Sequence, residues 1–333
     1  MADLELCSRP VFIHSLWRCA STYFMEKFVQ EPGVVGFTEP FNEHLRLIDQ
    51  KMADEDDQKR REELNHPNQE QSYYGPYRDL IVPGDIESPG IRHFDIRYPL
   101  NYWFDPKDRG QLRYLRSLID HAGDRFQSQP VLGFVRSLGR VELLRNLGGY
   151  HIVLLREPFD AFWSSYTQLR DKTNAYFAVQ YVMLAALCRD VPALDALALK
   201  YHLPKLKIKG PFYTYGRACN LFREQYADNL ELLREAFCLV YLLSYGAALP
   251  HADLVVSVDR LSRDEAYRKR ISNLIAENTG RVLDFNDCRC PQYDEPEARA
   301  AFEETYRAEQ CALEESRQAR WMAGGRLLDS LLA

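Results

Sequence analysis

Along the 333-residue chain, short runs in which nearly every position is apolar alternate with longer stretches whose apolar positions recur every three to four residues. Runs of the first kind suit strands buried on both faces, and stretches of the second kind suit amphipathic helices. The predicted strands are Val11 to Ile13, Val34 to Thr38, Pro130 to Val135, Ile152 to Leu155 and Leu254 to Val258. Helices are predicted over Ser21 to Phe28, Gly110 to Gly123 and Val141 to Leu147, then from Pro158 onward, and over Tyr176 to Arg189, Asp195 to Tyr201, Asn220 to Tyr245 and Ser262 to Asn278. Turn signals such as Gln30-Glu31-Pro32-Gly33 and Gly148-Gly149 separate them. The tail, rich in Glu, Arg and Ala, is expected to be helical and to pack outside the sheet. Strands alternating with helices in this way imply a central, mostly parallel sheet covered on both faces, a three-layer α/β/α architecture.

Three stretches break the alternation. His44 to Asn65 is charged with few apolar positions, which reads as a solvated helix or lid. Residues 71–105 carry Tyr73, Tyr74, Tyr77, Phe94, Tyr98, Tyr102, Trp103 and Phe104 among prolines and glycines. They suit either the wall of an acceptor pocket or a satellite core beneath a long loop. Lys205, Lys207 and Lys209 form a local basic strip within a helical subregion around 175–250. Ala236 to Leu249 is apolar but too short and interrupted to span a bilayer, and is expected to be a core helix.

Composition narrows the function classes. With 46% hydrophobic residues the chain can bury a large core, and one domain over 1–333 is expected. A net charge of -6 argues against a nucleic-acid surface, which needs a basic face to displace counterions. The eight cysteines are scattered, Cys288 and Cys290 being the close pair, and their spacing suggests no zinc site. Reduced thiols and a cytoplasmic location are the expectation. Asp3 and Glu5 precede the first strand where a leader would be apolar, so no signal peptide and no membrane partner is expected.

The chemistry concentrates in Pro10 to Phe28, PVFIHSLWRCASTYFMEKF, which reads as strand, loop and helix in immediate succession. A loop feeding a helix N-terminus offers unpaired N–H groups and the positive end of the macrodipole, and suits a phosphate or sulfate. Arg18 adds a fixed charge, while Ser21 and Thr22 add hydroxyls that either bind the anion or simply cap the helix. The Walker A pattern is absent, with no glycine between Pro10 and Gly33. Far along the chain, His151 to Tyr166 places Arg156 at a strand end and Ser164 about two turns into the next helix. A guanidinium fork and a hydroxyl so spaced suit a second phosphate.

Together, Arg18-Cys19-Ala20-Ser21-Thr22-Tyr23 and Arg156-x7-Ser164 resemble the two nucleotide signatures of sulfotransferases that use 3′-phosphoadenosine 5′-phosphosulfate (PAPS) and release 3′-phosphoadenosine 5′-phosphate (PAP). The resemblance covers the core strands and implies the P-loop-like sulfotransferase fold of the small-molecule, bacterial type. It implies that Arg18, Cys19, Ala20, Ser21 and Thr22 hold the 5′-phosphosulfate, that Tyr23 packs near the adenine, and that Arg156 and Ser164 bind the 3′-phosphate. Arg18 would also stabilise charge on the leaving phosphate. Cys19-Ala20 departs from the family's hydroxyl-glycine step, so the loop must avoid a positive φ at Ala20 or accept strain there.

Glu39, at the end of the second strand in Glu39-Pro40-Phe41, resembles the early glutamate that serves as general base in bacterial and heparan-type members. A structural ion pair or a helix cap is the plain alternative for it. The strand before Arg136-Ser137 ends without the histidine that many animal members use. Arg136 and Arg140 suit the sulfonate, the acceptor, Glu39 or ordinary ion pairs. Asp259 is expected to cap the helix beginning near Ser262. The activity implied is transfer of a sulfuryl group from PAPS to a hydroxyl or amine of a small-molecule acceptor, with no metal because arginine supplies the positive charge. A nucleotide-dependent kinase and a non-catalytic nucleotide-binding protein are the alternatives. The acceptor and the oligomeric state are not legible in the sequence.

Overall fold

The strands assemble around β1 (Val11–His14), whose VFIH sequence is buried at every position. β2 (Val34–Thr38), β3 (Gln129–Phe134), β4 (Tyr150–Leu155) and β5 (Leu254–Ser257) complete an all-parallel sheet in the order β2-β3-β1-β4-β5. This computed structural model describes residues 8–54, 72–82, 90–100, 102, 109–172, 174–206, 213–316 and 319–332. The register sets His14 beside Phe134 and Val153, Thr38 beside Gly133, and Leu155 beside Ser257. All five strands therefore end near a common level on one edge.

The longer helices are α1 (Ser21–Val29), α2 (Gly110–Phe126), α3 (Pro158–Lys172), α4 (Tyr176–Leu187), α5 (Pro192–Lys200), α6 (Tyr213–Tyr226), α7 (Leu230–Ala248), α8 (Val258–Arg263), α9 (Glu265–Thr279), α10 (Pro296–Glu315) and α11 (Ala319–Leu332). Side-chain alternation sorts them into layers. Val11, Ile13, Ile152 and Val256 meet Phe24 and Phe28 of α1 and Ile271 and Ile275 of α9. On the opposite face, Phe12, Leu132 and Phe134 meet Tyr114 and Leu118 of α2. Val153 and Leu155 meet the helical layer that includes α3, α4 and α7. This is the expected three-layer α/β/α architecture, and right-handed crossovers account for it: β1 to β2 runs one way across the sheet, β2 to β3 and β3 to β4 the other. The chain leaving β1 thus turns to one face and the chains leaving β3 and β4 to the other, which opens a crevice at the carboxyl ends of the strands.

The apolar stretch at Ala236 lies in α7, as expected for a core helix. The span Leu230–His251 is long and apolar enough to cross a membrane, but 89% of its apolar window is buried inside the protein. Such a helix, apolar on all sides, is buried by packing against its neighbours.

Several boundaries differ from expectation. The span predicted from Asn220 to Tyr245 is two helices, because the Asn229 side chain accepts from Leu232 N–H and starts α7 afresh. The helix expected from Ser262 begins at Val258, with the Ser257 hydroxyl accepting from Arg260 N–H, and restarts at Glu265 with Asp264 as cap. Asp259 is consequently not a cap: its carboxylate accepts from Glu157 N–H at 2.6 Å and ties the end of β4 to that of β5. Val141 to Leu147 is a short α turn followed by a 3₁₀ turn. Of His44 to Asn65, the described part is a 3₁₀ turn at Glu43–Arg46 and a short helix at Gln50–Asp54. Tyr74, Tyr77 and Tyr98 belong to the core beneath β2 and β3 rather than to a pocket wall, and Tyr102 packs into the helical layer. Trp103, Phe104, Lys207 and Lys209 lie outside the described residues.

One polar feature is set into the sheet. His14 and His151 stack in parallel between Phe12 and Phe134. His151 Nε2 lies 3.0 Å from Gly148 O, His14 Nε2 lies 3.0 Å from His151 Nδ1, and Ser137 Oγ lies 2.7 Å from His14 Nδ1. Because a carbonyl only accepts, His151 donates to Gly148, His14 donates to His151, and the Ser137 hydroxyl donates to His14. This direction belongs to the neutral pair, which burial favours by pushing both imidazoles below the usual histidine range.

Candidate functional site

β1 delivers the loop Ser15 to Ala20 to the sheet's carboxyl edge. Ala20 is the N-cap residue of α1, in left-handed conformation at φ 59 and ψ 24, and no side chain caps the helix. Ser21 is therefore not the cap that one reading of the sequence made it, and the first N–H groups of α1 face the crevice without a capping side chain. Arg18 (φ 64) and Glu39 (φ 46) are left-handed as well. Left-handed backbone at a residue with a Cβ costs roughly 1 kcal/mol or more. Three such residues meeting at one edge of one sheet mark the place where the fold tolerates strain.

The two distant motifs meet directly. Arg18 Nε donates to Ser164 Oγ on α3 at 3.0 Å. Arg156, at the end of β4, donates through one amino group to Arg18 O at 2.7 Å and through the other to Pro291 O at 2.7 Å. Its Nε–H is buried with no partner among the described residues, on a side chain only 3% exposed. Trp17 Nε1–H, in the loop, is a second buried donor without an acceptor among the described residues. The Arg18 guanidinium packs over the Phe177 ring at 5.1 Å, and burial followed by the nearby Arg156 charge holds its pKa below the usual value. A buried cation, Arg156, and a half-buried one, Arg18, set this close would favour an anion between them.

The remaining residues of the loop divide by direction. Cys19 is buried with Tyr245 Oη donating to its sulfur at 3.7 Å, and burial pushes the thiol up to about 11. Its main chain, not its side chain, lines the loop. Ser21 and Thr22 open α1 and are partly buried. Tyr23 donates to Asp287 Oδ1 at 2.7 Å, and Lys27 holds the other oxygen at 2.7 Å, so that α1 is tied to the segment that continues to Pro291.

Glu39 stands across the crevice. β3 lies between β1 and β2, so the strands carrying Arg18 and Glu39 are about 10 Å apart. The Glu39 N–H donates to Gly133 O at 2.7 Å, fixing the turn. Its carboxylate, 21% exposed, lies 3.7 Å from Arg136 and accepts from Asn42 Nδ2 at 3.3 Å. The same Asn42 amide donates to Tyr73 Oη at 3.0 Å, so Tyr73 of the 71–105 stretch reaches this site. Arg136 is spent chiefly on Glu43, at 2.7 Å and 2% exposed, and also donates to Tyr176 Oη at 2.7 Å and Phe41 O at 3.2 Å. Its guanidinium lies over the Trp17 ring at 5.4 Å, which joins this acidic half to the loop after β1. Arg140, by contrast, is fully buried on Gln111, the Tyr98 carbonyl and the Arg136 carbonyl, and is structural.

Sequence reasoning did not find Trp17, Glu43 or Tyr176. Glu43 stood in view four residues after Glu39, but nothing in the spacing says that a 3₁₀ turn folds it back onto the arginine after β3.

No protein-family model matches the chain, and no curated protein matches it. Among solved structures it is similar to the crystal structure of a sulfotransferase from Alicyclobacillus acidocaldarius, at 15% sequence identity and a TM-score of 0.37, covering 94% of this chain and 99% of that one.

Proposed function

We propose that the protein is a PAPS-dependent sulfotransferase acting on a hydroxyl or amine of a small molecule. The observation that carries the reading is the convergence of Arg18, Arg156 and Ser164 at the uncapped N-terminus of α1, with a buried guanidinium N–H lacking an acceptor. These residues fit an anion of several charges. PAPS, when bound, supplies the sulfuryl group and leaves as PAP. Arg18 and the first N–H groups of α1 would face the 5′ end and offset the charge that grows on the leaving oxygen. Arg156 and Ser164 would take the 3′-phosphate, Arg156 exchanging Pro291 O for a charged acceptor. Ser21 and Thr22 add hydroxyl donors beside them. Glu39 would remove the acceptor proton; it is 21% exposed where Glu43 is sealed, with Arg136 3.7 Å away.

Calorimetric titration with PAP, 5′-AMP and ATP with magnesium tests this. PAP is expected to bind most tightly, and Arg156→Ala to weaken it roughly 10- to 100-fold, the worth of a charge-assisted hydrogen bond to phosphate. Preference for ATP with magnesium, or indifference to Arg156→Ala, would overturn the reading. Given an acceptor, Glu39→Gln is expected to lower kcat by about 10²- to 10⁴-fold with PAP affinity unchanged.

A further inference from the structure

Among the described residues β5 pairs with β4 alone and forms one edge of the sheet. Its last N–H, at Ser257, donates to Tyr267 Oη on α9 at 2.9 Å. Beside that contact, between β5, α9 and the end of α11, lies a cavity of about 170 Å³. Its walls are largely apolar, with Leu155 of β4, Leu254 and Val255 of β5, Ile271 and Leu274 of α9, and Leu331 of α11. An apolar cavity of about 150 Å³ holds a benzene ring, so this one suits a body of about six carbons.

The polar part of the wall is made of donors. Arg260, Arg270 and Tyr267 line it with Ser257, and among the described residues no carboxylate does. Arg260 lies over the Tyr267 ring at 4.4 Å, and its contact with Asp264 is a 3.7 Å pair between exposed side chains. Arg270 is exposed and has no acceptor or ion-pair partner among the described residues. Tyr267 is 9% exposed and receives the Ser257 N–H, which leaves its own O–H without an acceptor among the described residues. Burial pushes that phenol up, so the proton stays in place at neutral pH. We propose that the cavity binds a small amphiphilic carboxylate, its apolar body among the leucines and its head on Arg270 and Arg260. A guanidinium fork matches two carboxylate oxygens, and Tyr267 adds a neutral donor. The site is adjacent to the anion crevice and distinct from it. Leu155 lines the cavity, whereas the next residue, Arg156, donates to Arg18 O. The proposal therefore stands whether or not the crevice takes PAPS.

Ligand-observed NMR titration of the full chain with heptanoate tests it, beside acetate, heptan-1-ol and heptylammonium. Heptanoate is expected to bind saturably and more tightly than the other three, because it alone satisfies both the apolar wall and the cations. Arg270→Ala, at an exposed helical position that alanine favours, is expected to weaken heptanoate roughly 3- to 10-fold and to leave heptan-1-ol unchanged. Leu274→Trp, which fills the cavity from α9, is expected to abolish the binding of both. Saturating PAP is expected to leave heptanoate bound. Absence of saturable heptanoate binding, equal affinity for heptan-1-ol, or heptanoate affinity unmoved in Arg270→Ala would each overturn the proposal. Displacement of heptanoate by PAP would assign it to the crevice and overturn the proposal as well. Arg270→Ala decides alone if Leu274→Trp does not fold.

Discussion

Ala20 does at the start of α1 what glycine does more cheaply. Its φ of 59 places a methyl group where left-handed backbone crowds it, at a cost of roughly 1 kcal/mol. Ala20→Gly removes that cost and returns part of it as extra freedom in the unfolded chain. The variant is therefore expected to be stabilised by a few tenths to about 1 kcal/mol, read from the urea midpoint. A midpoint that falls would mean that the methyl's packing beside α1 outweighs the strain. The strain was foreseeable from the Cys19-Ala20 step; that the chain accepts it rather than avoiding it was not. The same division runs through the site. That Arg18, Arg156 and Ser164 belong to one site was legible because each lies within one loop or one strand-helix junction, where residue type and spacing are set locally, and the structure brings them together. Glu43 and Trp17 were not, because their roles depend on Arg136 arriving from another strand, and no local period encodes that meeting.

Elements were legible where hydrophobic periodicity was uniform. All five strands were, because buried parallel strands are short continuous apolar runs between turn signals. The helical layer was legible in content and not in boundaries. One apolar stretch runs through Asn229, and the break there comes from a side chain capping a new helix rather than from a glycine or proline. The packing of the C-terminal helix was also hidden. α11 crosses α7 so closely that a Cβ on Gly324 would lie 2.3 Å from Gly246 O. No rotamer adjustment relieves a clash with main chain, so the two helices must move apart. Gly324→Ala is expected to lower unfolding free energy by roughly 1–3 kcal/mol. Far-UV circular dichroism should stay near wild type, since alanine favours helix. Unchanged stability would mean that α11 shifts without loss, and that its seat on α7 is not specific.

Across the whole molecule, the sheet and the helical layer respond to acid in opposite senses. The neutral pair His14 and His151 lies within the sheet, and burial pushes both down, His151 from 6.5 to about 4. Between those values the unfolded chain binds a proton that folded His151 refuses, so stability falls as pH drops. The full loss is about 3 kcal/mol at 1.36 kcal/mol per unit. Glu309, on α10, moves the other way: burial, then the Glu235 charge, raises it from 4.5 to about 7. Glu235 is itself held on α7 by Lys200 at 2.7 Å and Tyr201 at 2.9 Å, so its charge stays in place beside α10. Folded Glu309 takes up its proton before the unfolded chain does, and its contribution to stability rises as pH falls from 7 to 4.5. The windows of His151 and Glu309 overlap almost completely and offset each other, so the wild type is expected to lose stability from pH 6.5 to 4.5 by the share of His14 alone. Glu309→Gln removes the opposing half. It should exceed the wild type in stability at pH 8, lose that advantage as the pH falls to 4.5, and expose the decline that the histidines impose. Urea unfolding at half-unit intervals over this range decides the matter, and parallel curves for the two proteins would mean that Glu309 does not titrate against the sheet.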